Sequence, residues 1–357
     1  MARALRLAER GQYTAHPNPM VGCVLVKDDV IVGEGWHEKT GEAHAEVNAL
    51  RRAGEAARGS TAYVTLEPCS HHGKTPPCSE ALIKAGVRKV IAAIQDPFQK
   101  SSGHGLECLL EAGIEVQSGL MQSAAEELNR GFLMRATRQR PFVRLKLAAS
   151  IDGAISMASG ESQWITSPAA RADVQRLRAR SGAIMTGIGT VLADNPSLTV
   201  RAADIETGGI QPIRVVLDRH LRIPVSAAML SLEGTTLVCR TGDHDATHLL
   251  SSNVEVVSFL SVDGRIDAHE VLMELAVRGV NNVLVEAGPS LAGYLLGRNL
   301  VDELVIYQAP HIMGSQTMRL VNTPSWTTLA DRKNLTINDT RRFGPDTRII
   351  ATLNQAD

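Results

Sequence analysis

Three short stretches place metal-type ligands beside prolines or a helix start: His44-Ala45-Glu46, Pro68-Cys69 and Pro77-Cys78. One imidazole and two thiolates form a soft donor set suited to zinc, and the lack of a fourth protein ligand leaves a tetrahedral position for water. Zinc in such a site lowers the pKa of that water toward neutrality, which makes a nucleophile at working pH. The proton must then reach a leaving group, and Glu46, two residues past the histidine, is placed to carry it. An H-x-E followed by two P-C pairs is the pattern of zinc enzymes that deaminate a heterocycle. The usual two-residue gap between the cysteines is here widened to eight residues between Cys69 and Cys78. That is long enough for the loop to form part of a substrate pocket. Two competing readings are a structural zinc site closed by His71 or His72 and a pair of buried free thiols with His44 on a helix face. Neither has a use for Glu46.

The elements around these residues must bring them together. Residues i and i+2 of a regular helix do not face each other, so His44 is expected at the entry of a helix over 44–53. Cys69 and Cys78 each follow a strand and precede a helix, where the dipole stabilises a thiolate. Residues 1–12 read as an amphipathic helix. Residues 23–26 and 31–35 read as a β-hairpin, 61–66 and 89–94 as strands, and 80–85 and 106–112 as helices. A helix over 121–140 ends in a basic stretch, and Pro141 stops it there. This is the expected domain junction. Strands are then expected at 142–149, 213–217, 236–239, 254–259, 283–286, 304–306 and 349–353, enough for a second α/β domain on one large sheet.

The bulk numbers agree with two globular domains. The chain has 357 residues, 44% apolar but only 3% aromatic, so Leu, Val, Ile and Ala must fill its cores. With 37 basic and 38 acidic residues the net charge is −1, which excludes the electrostatic footprint of a nucleic-acid binder and fits a small-molecule substrate. No signal-peptide core or membrane-length apolar run is present, so a cytoplasmic protein is expected. Five cysteines, Cys23, Cys69, Cys78, Cys108 and Cys239, are too few and too odd for a disulfide framework. Cys23, Cys108 and Cys239 are expected in the core.

In the second half, a strand over 283–286 enters a helix through Ala287-Gly288-Pro289. Free N–H groups at such a turn suit a phosphate, although a plain turn has the same pattern, and the Rossmann fingerprint is not there. Arg178 lies in a run with Arg171, Arg176 and Arg180 that could equally be a solvated helix face. Arg201 ends the apolar, strand-like Leu198-Thr199-Val200, where a guanidinium can fork onto a sugar phosphate.

Taken together, the chain resembles the bifunctional deaminase–reductases of riboflavin biosynthesis. The resemblance is carried by His16-Pro17-Asn18-Pro19-Met20-Val21-Gly22, by the His44 and Cys69–Cys78 segments, and by Leu145-Lys146-Leu147 to Asp152-Gly153. Gly160-Glu161-Ser162-Gln163-Trp164-Ile165-Thr166, residues 190–196 and Val285-Glu286-Ala287-Gly288-Pro289 extend it along the whole chain. It implies an α/β protein with a cytidine-deaminase-like domain over 1–140 and a dihydrofolate-reductase-like domain over 141–357. The first would hydrolyse the 2-amino group of a diaminopyrimidinone ribosylamino 5′-phosphate. The second would use NADPH to reduce the ribosyl group to ribityl.

By the same resemblance His44, Cys69 and Cys78 hold Zn2+ and Glu46 shuttles protons, while Asn18 contacts the pyrimidine edge unless it merely turns the chain before Pro19. The cofactor site would comprise Ala148, Trp164, Thr190 and Asp194, with the diphosphate on Gly288, Pro289, Ser290, Leu291, Ala292, Gly293 and Tyr294. Ser162, Arg178, Leu198, Arg201 and Glu286 would meet the substrate. A homo-oligomer, dimer or tetramer, is implied, with no nucleic acid or membrane partner. The chain departs from the family in starting a few residues later and in carrying Ala154 where Arg or Lys is common. A tRNA deaminase would be more basic, and a nucleoside deaminase would need no second half.

Overall fold

A computed structural model describes residues 1–70, 76–98, 102–249, 251–323 and 326–353. The chain divides into two compact units, Met1–Arg140 with Glu206–Gly209, and Pro141–Ile205 with Ile210–Asp357. The short piece Glu206–Gly209 departs from the expectation of two continuous segments.

The first unit runs α1 (Ala2–Ala8), β1 (Gly22–Lys27), β2 (Val30–Trp36), α2 (Ala45–Ala53), β3 (Thr61–Val64), α3 (Cys78–Ala85), β4 (Lys89–Ala92), α4 (His104–Glu111), β5 (Glu115–Ser118), α5 (Gln122–Leu128) and α6 (Arg130–Arg138). Its sheet has the order β2-β1-β3-β4-β5. The hairpin β1–β2 turns on Asp28 and Asp29, both at positive φ, and β3, β4 and β5 run parallel through helical crossovers. Cys23, Leu25, Ala62, Val64, Val90 and Ala92 fill the core beneath α2, α3 and α4. The small side chains of α2 let it lie close on the hairpin: a Cβ on Gly35 would stand 2.4 Å from the Ala45 carbonyl oxygen.

Two expectations need correction here. The helix over 121–140 is broken at Asn129, whose amide accepts from the Met20 N–H and donates to the Met20 carbonyl, both at 2.9 Å. That two-way tether holds the Asn18–Met20 loop and replaces a continuous helix. Cys108 is exposed, because the buried stripe of α4 passes through Leu106 and Leu109; Cys23 and Cys239 are buried.

The second unit contains β6 (Phe142–Ser150), β7 (Ala154–Ser156), α7 (Pro168–Ala179), β8 (Ala183–Gly187), α8 (Ile188–Asp194), β9 (Ile213–Leu217), β10 (Thr236–Arg240), β11 (Val254–Ser258), β12 (Ser261–Val262), β13 (Arg265–Ile266), α9 (Ala268–Val277), β14 (Asn282–Glu286), α10 (Pro289–Gly297), β15 (Glu303–Ala309), β16 (Met318–Arg319), β17 (Leu335–Phe343) and β18 (Asp346–Leu353). The large sheet expected from the sequence has the order β11-β10-β9-β8-β14-β6-β15-β18-β17. It is parallel from β11 to β15, and β18 and β17 close it antiparallel.

Alternation along each strand divides its side chains between two cores. Val143, Leu145, Met185, Val215, Val283 and Val285 pack against α9 and α10. Ile184, Val216, Val238, Leu284 and Val305 pack against α7 and α8. Helix α7 starts at Ser167, whose hydroxyl accepts from the Ala170 N–H, with Pro168 at its first position. Leu198-Thr199-Val200 is not a strand. Leu198 has φ +48, and both backbone groups of Val200 are satisfied at 2.9 Å by the side-chain amide of Gln211.

One close contact can be tested directly. A Cβ on Gly293 in α10 would stand 1.8 Å from the Asn322 carbonyl oxygen, so backbone must move to admit it. Gly293→Ala is expected to cost about 1–3 kcal/mol, as overpacking does. Calorimetry should then show the second unit melting roughly 2–10 °C lower, with the first unit's transition unchanged.

Candidate active sites

In the first unit, His44 is the N-cap of α2 with extended backbone (φ −72, ψ 166), while Cys78 is the first residue of α3. This places His44 off the helix it precedes, as the i, i+2 spacing to Glu46 requires. Cys69, by contrast, lies in the loop after β3 and not at a helix start. Its sulfur receives the Cys78 N–H at 3.3 Å. His44 Nδ1 stands 3.3 Å from Cys78 Sγ and 3.6 Å from Cys69 Sγ, and one donor atom from each residue fits within 4.8 Å of the others.

The electrostatics of this cluster are unresolved by protein groups alone. The Cys69 thiol is pushed down to about 4 by its hydrogen bond from Cys78, then by His44, against the opposing effect of burial. Cys78 is pushed far up, first by that same hydrogen bond to Cys69 and then by burial. A cation beside the pair would favour the thiolate form of both. Glu46 is 3% exposed, and among the described residues its Oε2 has no hydrogen-bond partner. Burial pushes it up to about 7, partly offset by His44. Two thiols, an imidazole and a buried carboxyl with one unpartnered oxygen fit a zinc ion with one open position. His71 and His72, and the middle of the widened loop expected to border a pocket, lie outside the described residues.

Asn18 joins the same cluster through His37: its Nδ2 is 3.0 Å from His37 Nε2, and the His37 ring meets the His44 ring edge-on at 5.4 Å. The sequence reading missed His37. It also missed Glu67, beside the Pro68-Cys69 pair. The Glu67 carboxylate accepts from the N–H groups of Asp96, Gly103, Gly105 and Leu106 at 2.9–3.4 Å, and Gly105 is so close that a Cβ would stand 1.9 Å from the Pro68 carbonyl oxygen. On the other side, Ser79 donates its N–H and hydroxyl to the Cys69 carbonyl. Cys69 is thus clamped from both directions.

In the second unit, a cavity of about 1240 Å³ opens at the carboxyl ends of the parallel strands. Ala148, Trp164, Thr190, Asp194, Gly288, Pro289, Ser290, Leu291 and Tyr294 line it, as do Ser162, Arg178, Leu198, Arg201 and Glu286. Ala292 and Gly293 do not: Ala292 is fully buried in the core, and Gly293 backs onto Asn322. Gly288 is the N-cap of α10 and its N–H donates to Thr190 Oγ1 at 3.3 Å.

Arg178 is not on a solvated face. It forks onto Glu286 at 2.6 and 3.0 Å with both side chains largely buried, and it also donates to the Thr199 carbonyl. Burial alone would raise Glu286, but Arg178, Lys146 and Arg201 outweigh it and hold the carboxyl below its usual range. Lys146, which the sequence reading did not single out, lines the same wall, and burial pulls its pKa down. Trp164 is exposed on the rim with the Arg171 guanidinium 4.4 Å from its ring centre. Ala154, in place of a cation, is buried in β7.

The comparisons with known proteins match both units. The RibD C-terminal domain matches residues 141–349, and the cytidine and deoxycytidylate deaminase zinc-binding region matches residues 1–94. The chain is 50% identical over 355 residues to the riboflavin biosynthesis protein RibD of Escherichia coli K12, covering 97% of this chain and 96% of that one. It is similar to the solved structure of Acinetobacter baumannii RibD, with a TM-score of 0.92 at 43% identity, covering 99% and 98% of the two chains. A Thermotoga maritima structure described as a diaminohydroxyphosphoribosylaminopyrimidine deaminase/5-amino-6-(5-phosphoribosylamino)uracil reductase aligns with a TM-score of 0.86 at 32% identity, over 99% and 97%.

The Glu67 clamp yields a prediction independent of substrate. Glu67→Gln turns one acceptor oxygen into a donor that faces N–H groups, leaving buried polar groups unsatisfied at a cost of about 1–3 kcal/mol. The Cys69 loop should loosen, and dialysis against a chelator should strip metal faster from Glu67→Gln than from the parent protein. Equal metal retention would show that Glu67 does not position the cysteine.

Proposed function

Because the chain belongs to the RibD family of bifunctional riboflavin-biosynthesis enzymes, we propose that its first unit deaminates a diaminopyrimidinone ribosylamino 5′-phosphate and its second reduces the product's ribosyl group to ribityl. The first half has the cytidine-deaminase-like fold and the second the dihydrofolate-reductase-like fold. Zinc and NADPH are the cofactors of the two activities. The observation that carries the reading is the cluster of His44, Cys69 and Cys78 donors within 4.8 Å beside a buried, partnerless Glu46 oxygen.

His44, Cys69 and Cys78 hold the zinc, which supplies an activated water when bound. Glu46 takes the proton from the attacking water and returns it to the 2-amino group, which leaves as ammonia. Asn18, oriented by His37, holds the pyrimidine edge. In the second cavity the first turn of α10 takes the diphosphate of NADPH, the source of hydride. Ala148, Trp164, Thr190 and Asp194 complete the cofactor wall. Arg178 locks Glu286 toward the sugar, with Ser162 and Leu198 beside it, and Arg201 takes the 5′-phosphate. Among the described residues the Arg201 guanidinium has no carboxylate partner, and only its backbone N–H is used, by Gln175.

We also place the enzyme in the cytoplasm as a homo-oligomer. Its five cysteines are unpaired, and thiol ligands persist in a reducing compartment. No described helix is long and apolar enough to cross a membrane. The edge strand β17 exposes Leu335 and Ile337, which a second copy would cover.

Incubating the protein with the diaminopyrimidinone ribosylamino phosphate, with and without NADPH, and weighing the products tests both steps at once. Deamination alone should appear without NADPH and the ribityl product with it. Glu46→Gln should keep its zinc yet slow deamination by at least ~10²-fold, with reduction of the deaminated substrate untouched. Loss of metal in that variant would make Glu46 a ligand instead. Arg201→Met should lower kcat/KM of reduction by roughly 30- to 1000-fold, the worth of a forked charged contact. With dephosphorylated substrate it should do no worse than the parent. Equal slowing of both substrates would remove Arg201 from the phosphate site.

A further inference from the structure

One wall of the second cavity carries positive charge that the two-step reading leaves unused. Where β9 ends, the chain turns through Asp218-Arg219-His220-Leu221-Arg222, with Leu221 at φ +51, and Arg219, His220 and Arg222 line the cavity. Arg265, the first residue of β13 just past the Asp263-Gly264 turn, lines it too. The Arg219 guanidinium donates to the Gly264 carbonyl beside it, and Arg265 Nη1 donates to the Ser290 carbonyl in the first turn of α10 at 3.3 Å. The basic wall therefore continues directly from the helix start assigned to the diphosphate.

Of these cations only Arg222 has a carboxylate partner among the described residues, through a long ion pair to Asp218. Asp218 is fully buried and turned inward, accepting from the Ile223 N–H at 2.7 Å, and the Arg222 Nε stays 3.9 Å from its other oxygen. Among the described residues Arg219 and Arg265 form no ion pair with a carboxylate. In Rossmann-type dinucleotide sites, an acidic side chain after a strand reads the ribose 2′-hydroxyl, whereas an arginine accommodates a 2′-phosphate. The same charge logic applies to any site that must tell the two nucleotides apart. Here the acidic group builds the turn, and the guanidiniums are what the turn presents.

NADPH and NADH differ by that one phosphate, a dianion suited to paired guanidiniums. Resting on the reading of this cavity as the cofactor site, we propose that Arg219 and Arg222 bind the adenosine 2′-phosphate and set the preference of the reductase for NADPH over NADH. His220, which accepts from Arg219 Nε at 2.8 Å, holds the first guanidinium in place.

The test is steady-state reduction with both nucleotides in Arg219→Gln, Arg222→Gln and the double variant. With NADPH, each single variant should lose about tenfold in kcat/KM and the double about 10²-fold, mostly through KM, as expected for charged hydrogen bonds. With NADH the change should stay within about threefold, which also reports an intact site. Inhibition by 2′-phospho-ADP-ribose should weaken by the same factor, and inhibition by ADP-ribose should not. Equal loss with both nucleotides, an unchanged preference, or a rise in KM for the pyrimidine phosphate alone would each overturn the assignment. Thr190→Val, beside Gly288, separates the two levels of the argument, because it should weaken both nucleotides alike. If Thr190→Val weakens both while the arginine variants leave the preference intact, the 2′-phosphate assignment fails alone. If Thr190→Val and the arginine variants leave both nucleotides unaffected, the cavity is not the cofactor site and the proposal falls with it.

Discussion

A strand that continues into a helix brings two things to one edge of a sheet: its own carboxyl end and the free N–H groups of the helix's first turn. Parallel pairing repeats that delivery strand after strand, because every crossover must return the chain to the same starting edge. In the first unit the end of β3 supplies the Glu67-Pro68-Cys69 loop, and the starts of α2 and α3 supply His44 and Cys78. In the second unit the ends of β8, β9 and β14 supply Gly187–Thr190, the Asp218–Arg222 turn and Glu286–Leu291, around Lys146 and Ala148 of β6. Two unrelated chemistries thus hang on one topological constraint, while the antiparallel strands β17 and β18 close the sheet away from the cavity and tie down α7 through Arg348 to Asp173 and Asp346 to Ser167.

The units differ in how they meet the cost of burying charge. In the second, the cost is met inside the protein: Arg178 and Glu286 satisfy each other with two hydrogen bonds, and Lys146 adds its field. Removing one partner of such a pair leaves an uncompensated buried charge, typically a loss of about 3–5 kcal/mol. In the first, the protein leaves the cost open. One thiol is pushed down and its neighbour up, and a carboxyl oxygen has no hydrogen-bond partner among the described residues, a donor set suited to a divalent cation. A site closed by its own residues can orient a ligand; a site left open in this way can activate one.

How far the sequence revealed this depended on whether a signal was local. His44, Cys69, Cys78 and Glu46 were legible because each ligand type sits beside a proline or a helix start. Most of the parallel strands were legible as short β-branched runs, but not β8, whose Ala183-Ile184-Met185-Thr186-Gly187 lacks that composition, nor the short, mostly exposed β5; the antiparallel β17, a polar edge strand with little burial to pattern it, was not legible either. Long-range features were not legible. The break at Asn129 depends on Met20, more than a hundred residues away, and Glu67 gains its role from N–H groups that follow it by 29–39 residues. Arg178 looked like one of a solvated run because its partner Glu286 is 108 residues further on. The resemblance implied one continuous cofactor stretch through Ala292 and Gly293, but a helix turns its successive residues to different sides: Ala292 packs into the core and Gly293 against the Asn322 backbone.

A net charge of −1 also conceals how the charges are disposed. The arginines around the second cavity are distinguished by what holds each one. Arg178 is held by a carboxylate, which consumes its charge and makes it a strut for Glu286. Arg171 is held by the face of Trp164 and the Thr166 carbonyl, and Arg219 by the Gly264 carbonyl. A ring or a carbonyl fixes a guanidinium without neutralising it, so its full charge remains for an anion. The same holds for Arg201, whose field reaches Glu286 without an ion pair. A balanced total is thus compatible with a local arrangement that supports the several phosphates one reduced dinucleotide and one sugar phosphate bring together.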